Sequence, residues 1–124
     1  MSLTIQTETM DAERTARIAL EGRLDTVTAL QLEKQLELLL DGRYDRLVLD
    51  LAGLEFISSA GIRVLVQARK CMGAQDGGVF MVNARPQIVK VFEIIKALPG
   101  MIVFRSDAEM DQYLGMMQRR VLRG

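Results

Sequence analysis

Two adjacent hydroxyls, Ser58 and Ser59, carry the clearest chemical potential in this 124-residue chain. They follow the apolar run Leu47, Val48, Leu49 and Leu51, and they precede Gly61, Ile62, Val64, Leu65 and Val66. That order reads as a buried strand, a short loop and a helix that opens on the serines. The start of a helix leaves backbone N–H groups unpaired and carries partial positive charge. A hydroxyl there can act only as a cap, or it can bear a phosphate ester where negative charge is well received.

Other chemistry is thinly supplied. The chain has no histidine, so it lacks the commonest general base and the commonest metal ligand. A hydrolase built on Ser59 would need a carboxylate or lysine as its base, and no spacing indicates one. Gly73, Gly77 and Gly78 do not form a phosphate-binding loop, which also requires a Gly-Lys-Ser/Thr ending. Cys71 is the sole cysteine, which rules out an internal disulfide framework and favours a reducing compartment. Its apolar helical neighbours favour a small buried hydrophobe over a reactive thiol. The sequence therefore predicts neither an enzyme nor a metal or cofactor site.

The elements around the serines follow from periodicity and punctuation. Thr4 to Thr9 and Thr15 to Leu20 read as strands, with Met10 to Arg14 as the turn between them. Gly22 to Asp25 reads as a loop, Asp25 is expected to cap or order it, and Thr26 or Thr28 is expected to cap the next helix. That helix gathers Leu32, Leu36, Leu39 and Leu40 on one face, and Gly42 ends it. Arg46 to Leu51 is the buried strand. The helix after Ser59 turns Gly61, Leu65, Ala68 and Met72 inward, and Arg63, Gln67 and Lys70 outward. The glycines at 73, 77 and 78 make a turn before a short strand, Val79 to Val82. Pro86 suits the first turn of a helix striped by Ile88, Val91, Phe92 and Ile95. Pro99 and Gly100 break that helix, and Met101 to Phe104 forms a last strand. Ser106 and Glu109 have capping-box spacing before a helix carrying Met110, Leu114, Met117 and Val121. The alternation predicts one α/β domain over residues 1–124, a mixed and mostly parallel sheet of about five strands with about four helices. Whether helices cover one face or both stays open.

Composition bounds the partners. Hydrophobic residues make up 49% of the chain, enough for a real core. Sixteen basic residues balance sixteen acidic ones, which argues against a nucleic-acid binder relying on bulk charge. Arg119, Arg120 and Arg123 read as a solvated helix end. The eight methionines read as fillers of core gaps rather than an adaptable binding surface. No apolar run approaches the ~20 residues of a membrane span, and the acidic N-terminus is no secretion signal, so a cytoplasmic protein is expected.

In order and spacing, these residues resemble the STAS domain of bacterial anti-sigma factor antagonists. The likeness covers nearly the whole chain. Gly22-Arg-Leu-Asp25, followed by a helix with Thr28 and Ala29, is similar to the family's opening before its first helix. Leu49-Asp-Leu51 with Leu54 and Phe56 resembles its central strand and loop. Ile57-Ser-Ser-Ala-Gly-Ile62 stands where the family carries its phosphorylation loop, and Arg85 to Phe92 resembles its third helix.

The resemblance implies that Ser59 is the phosphoacceptor, with Ser58 as the alternative. Ser58 replaces the family's common Asp, and Ala60 replaces its second serine. It further implies partner switching. The unmodified chain would bind an anti-sigma factor that is also a serine kinase and so free a sigma factor. Phosphorylation would end that binding, and a phosphatase would restore it. The partner surface is expected to include Ser58, Ala60, Gly61, Arg63, Gln67, Asp25 and Thr26. Asp50 is expected to hydrogen-bond the loop near Ser59. No direct contact with nucleic acid is implied, and a monomer is expected. The same fold would also suit an adaptor controlling secretion, a signalling phosphatase or a lipid transporter.

Overall fold

The computed structural model describes residues 2–95 and 102–123. Five strands form one sheet in the order β1-β2-β3-β4-β5: β1 (Leu3–Met10), β2 (Thr15–Leu24), β3 (Arg46–Ile57), β4 (Gly78–Val82) and β5 (Ile102–Phe104). β1 runs antiparallel to β2, and the other pairings are parallel. The helices are α1 (Thr28–Leu39), α2 (Ser59–Ala74), α3 (Pro86–Ile95) and α4 (Asp107–Arg123). The expected mixed α/β sheet is therefore present. The expected turn, Met10 to Arg14, holds a single 3-10 turn and the left-handed Arg14.

Helices cover both faces. Alternation turns Ala16, Ile18 and Leu20 of β2, and Leu47, Leu49 and Leu51 of β3, toward one large core. Leu32, Leu36 and Leu39 of α1, Leu65 and Met72 of α2, and Ile88 and Phe92 of α3 close that core. On the opposite face a smaller cluster joins Val48, Phe80, Val82 and Phe104 to Met110 of α4. Parallel strands linked by right-handed crossovers place α1, α2 and α3 on the same side. α4 follows the edge strand β5 and folds back over the other side.

Two segments differ from the sequence expectation. Gly22 to Leu24 belongs to β2, and Ala52 to Ile57 belongs to β3; neither is a loop. The β2–β3 register shifts between Ala19 and Glu21 and again between Gly22 and Arg23, each shift placing an extra residue in β3. Bulges of this kind break the period-two pattern by which strands are read, so the longer strand is disguised. Gly22 has φ +109°, and a Cβ there would lie 2.4 Å from the Ser2 carbonyl oxygen. Only glycine fits, and this glycine marks a bulge rather than the end of the strand.

Four smaller expectations resolve as follows. Among the described residues only the serine half of the Ser106–Glu109 capping box forms, with the Glu109 N–H donating to Ser106 Oγ at 3.2 Å. Cys71 is half-buried, not fully buried. Met72, Met81 and Met110 fill the core as expected, whereas Met116 is exposed. Pro99, Gly100, Met101 and the side chains of Ile95, Met117, Arg119, Arg120, Val121 and Arg123 lie outside the described residues.

Candidate functional site

The two serines divide their roles by position. β3 ends at Ile57, and the Ser58 N–H donates to the Leu24 carbonyl at 2.8 Å, tying the loop to the end of β2. Ser58 is extended (φ −94°, ψ 172°) and caps α2. Its Oγ accepts from the Gly61 N–H at 3.2 Å, and its carbonyl accepts from the Ile62 N–H at 3.0 Å. Ser59 is the first residue of α2 and is exposed. Among the described residues its hydroxyl has no hydrogen-bond partner. The cap thus consumes one hydroxyl and leaves the other free.

Gly61 makes this geometry possible. It is buried against β2, where a Cβ would lie 2.7 Å from Leu24 Cγ and 3.1 Å from Ile57 Cγ1. The absence of a side chain lets the first turn of α2 settle onto the sheet. Ala60 is half-buried beside it. Ser59, Arg63 and Gln67 recur every fourth residue and are all exposed, so they form one outward stripe along α2. Gln67 also borders an open groove of about 280 Å³ between α1 and α2, whose walls include Leu36, Leu40, Val64 and Cys71.

The turn before α1 lies beside the serines because β2 and β3 end together. Asp25 and Thr28 cap one another. Asp25 Oδ1 accepts from the Thr28 N–H at 2.9 Å and from the Val27 N–H at 3.0 Å. Thr28 Oγ1 accepts from the Asp25 N–H at 2.8 Å and donates to the Arg23 carbonyl at 2.7 Å. The Thr28 N–H, followed by its other donors, holds the Asp25 carboxyl below the ordinary aspartate range. Thr28, together with Asp25, is therefore the cap. Thr26 is exposed and makes no side-chain hydrogen bond among the described residues.

Asp50 does not reach the serine loop. Leu49 and Leu51 face the main core, so Asp50 must face the other way. There it accepts from Arg17 Nη2 at 2.9 Å, from Asn83 Nδ2 at 3.3 Å and from the Ala52 N–H at 3.1 Å. Arg17 Nη1 also donates to Asp107 Oδ1 at 2.7 Å. This polar cluster pins the start of α4 to the sheet and belongs to the architecture of the far face.

The sequence reading missed a pair that the second bulge creates. Continued alternation from Leu54 would bury Phe56. The extra residue instead leaves Phe56 37% exposed, with the Arg23 guanidinium 4.1 Å from its ring centroid. Val27 and Leu30, at the start of α1, are also exposed apolar residues. No sequence signal announced the pair, because the register that sets Arg23 opposite Phe56 is decided between the two strands.

The family model described as the STAS domain matches residues 7–111. The chain belongs to the STAS domain family. It is 38% identical over 75 residues to a Bordetella bronchiseptica protein named "Putative anti-sigma factor antagonist BtrV". That match spans 60% of this chain and 65% of the relative's own length, just short of two thirds. Among solved structures, SpoIIAA in its unphosphorylated form has a TM-score of 0.68 at 22% identity, covering 93% of this chain and 98% of that one. The phosphorylated form of SpoIIAA, from Bacillus, has the same TM-score and identity, covering 89% and 99%. An anti-sigma factor antagonist from Mycobacterium paratuberculosis has a TM-score of 0.69 at 23% identity, covering 94% and 95%. These structures share the fold of this STAS chain. Among the described residues, no helix is long and apolar enough to cross a membrane.

Proposed function

We propose that this STAS domain is a cytoplasmic anti-sigma factor antagonist switched by phosphorylation of Ser59. In its unmodified state it docks on an anti-sigma factor that is also a serine kinase, and the sigma factor is released. The kinase then transfers the γ-phosphoryl group of ATP to Ser59 Oγ. A new P–O bond forms, the bond to the β-phosphate oxygen breaks, ADP departs and the hydroxyl proton goes to solvent or to a base on the kinase. A phosphatase hydrolyses the ester and resets the switch. The chain is the substrate of this cycle and catalyses none of it.

One observation carries the reading: Ser59 is exposed at the head of α2 with no hydroxyl partner among the described residues, while Ser58 is already spent as the cap. The phosphate can be added without dismantling the helix start. It brings about −1.5 to −2 charges, which the positive end of α2 tolerates but a packed protein interface does not. Each ~1.4 kcal/mol of conflict weakens binding about tenfold, so roughly 3–4 kcal/mol suffices to empty the complex. Ser58, Ala60, Arg63, Gln67, Asp25 and Thr26 surround the acceptor as the partner surface, with buried Gly61 seating the helix beneath them and Arg23 and Phe56 added at the end of the sheet.

The test is labelling of the purified chain by the cognate kinase with ATP, followed by peptide mapping. A single modification that disappears in S59A is expected. Undiminished labelling in S59A would transfer the role to Ser58. Affinity capture with the unmodified chain and with S59E then reads the output. The kinase should be retained by the former and lost by the latter, and a sigma factor should be freed from it.

A further inference from the structure

We propose that Arg63 is the internal counter-ion of a phosphate on Ser59, so that modification also withdraws this arginine from the docking partner. The inference rests on the functional reading above and concerns how that site is regulated. Ser59 and Arg63 lie four residues apart on α2, and both are exposed. Side chains at that spacing share a helix face with Cβ atoms about 5–6 Å apart, and an acid N-terminal to a base is the favourable order. Only Ala60, Gly61 and Ile62 intervene, and Gly61 and Ile62 are turned into the core.

The cation is available. Arg14, Arg17 and Arg43 are each held by an aspartate. Among the described residues Arg63 makes no salt bridge. Its planar fork of donors matches two phosphate oxygens at once. The helix start itself has less to offer, because the Gly61 and Ile62 N–H groups are already bonded to Ser58. The other charges at this end of the sheet include Arg23, Asp25, Glu55 and Arg85, and Arg85 is drawn to β3, where its Nε donates to the Ala52 carbonyl at 2.8 Å. Arg23 lies over Phe56, and Asp25 is committed to the Val27 and Thr28 N–H groups. Glu55 is exposed and repels a phosphate. Arg63 is thus the cation whose position on the phosphate's own helix face fits the role.

Modification then acts twice on the interface. It adds a dianion where a partner docks, and it neutralises the cation that the unmodified surface offers to an acidic group of that partner.

Phosphoserine incorporated during translation at position 59 of the full chain gives the test without any kinase. The second phosphate ionisation, near pH 6, is followed by phosphorus NMR in chains with Arg63, R63K or R63Q. The pKa should be lower by about half a unit with Arg63 than in R63Q, as expected for a charge-assisted pair at this spacing, with R63K intermediate. The R63Q phosphoprotein should also unfold at lower urea than the phosphoprotein retaining Arg63. Superimposable titration curves for the two would overturn the proposal. These measurements involve no partner, so a kinase that ignores Ser59 would sink the functional reading and leave the ion pair to be judged by its own result.

Discussion

Alanine substitution at the two neighbouring serines should have opposite consequences. Ser58 Oγ satisfies the Gly61 N–H, and its removal leaves that donor unpaired at the head of a 16-residue helix. Losing a serine cap costs about 0.5–2 kcal/mol, typically about 1 kcal/mol, which is the loss expected of S58A. A domain of 124 residues unfolds with an entropy of roughly 0.26 kcal/mol per kelvin, so the melting temperature should fall by about 4 °C. S59A removes an exposed hydroxyl without a partner from a helical position. It should leave the melting temperature within about 2 °C, because alanine is the better helix former. S58D should hold the wild-type value, since a carboxylate caps as well as a hydroxyl does. Thermal and urea unfolding followed by far-ultraviolet circular dichroism reads all three variants. The division of labour between the serines is refuted if S59A melts early and S58A does not.

The remaining predictions use the same assays. G61A should be destabilised by about 1 kcal/mol or more, because overpacking against Leu24 Cγ at 2.7 Å outweighs alanine's helix propensity; an unchanged urea midpoint would show that α2 can lift from β2 at no cost. R17M should lose about 1–2 kcal/mol at pH 7, because Asp50 and Asp107 are left facing each other without their shared guanidinium. Hydrogen bonding to Arg17 holds the Asp107 carboxyl below its ordinary value, so this contribution is complete above about pH 4 and fades as pH falls through the depressed folded-state value; the gap between R17M and wild type should close in acid. F56A should change stability by less than about 1 kcal/mol, since the ring is partly exposed, yet weaken capture of the partner kinase. Equal capture by F56A and the unmodified chain would remove the Arg23–Phe56 pair from the docking surface.

Much of this fold was legible because its signals are short-range. The leucines of α1, the inward set on α2 and the apolar run of β3 each repeat with the period of their element, and tertiary packing agrees with all of them. The position of the serine pair was legible for the same reason, since an apolar strand must end before a helix can begin. The roles of Asp25 and Thr28 before α1 were legible too, and the two residues pair; the end of β2 was not, because a glycine at φ +109° hid that boundary.

Asp50 shows a different kind of failure, because the needed signal was in the sequence. Leu49 and Leu51 could not both face the α1–α2 side unless the residue between them faced away, so a bond from Asp50 to the serine loop was geometrically excluded. Phe56 shows the opposite case. No local pattern announces the extra residue that turns it outward, because a bulge is settled by pairing with the neighbouring strand. The proposed docking surface depends on that non-local event. Without the two bulges in the β2–β3 pairing, the Arg23–Phe56 register at the end of the sheet would not exist, and the exposed surface beside Ser59 would lack its one aromatic anchor among the described residues. Deleting the unpaired residue Glu55 should therefore restore alternation with Phe56 still outward, because it then directly follows inward Leu54, and should keep Leu24 paired with Ile57. Loss of kinase labelling after that deletion, with the melting temperature kept, would show that the Arg23–Phe56 register alone does not position the site.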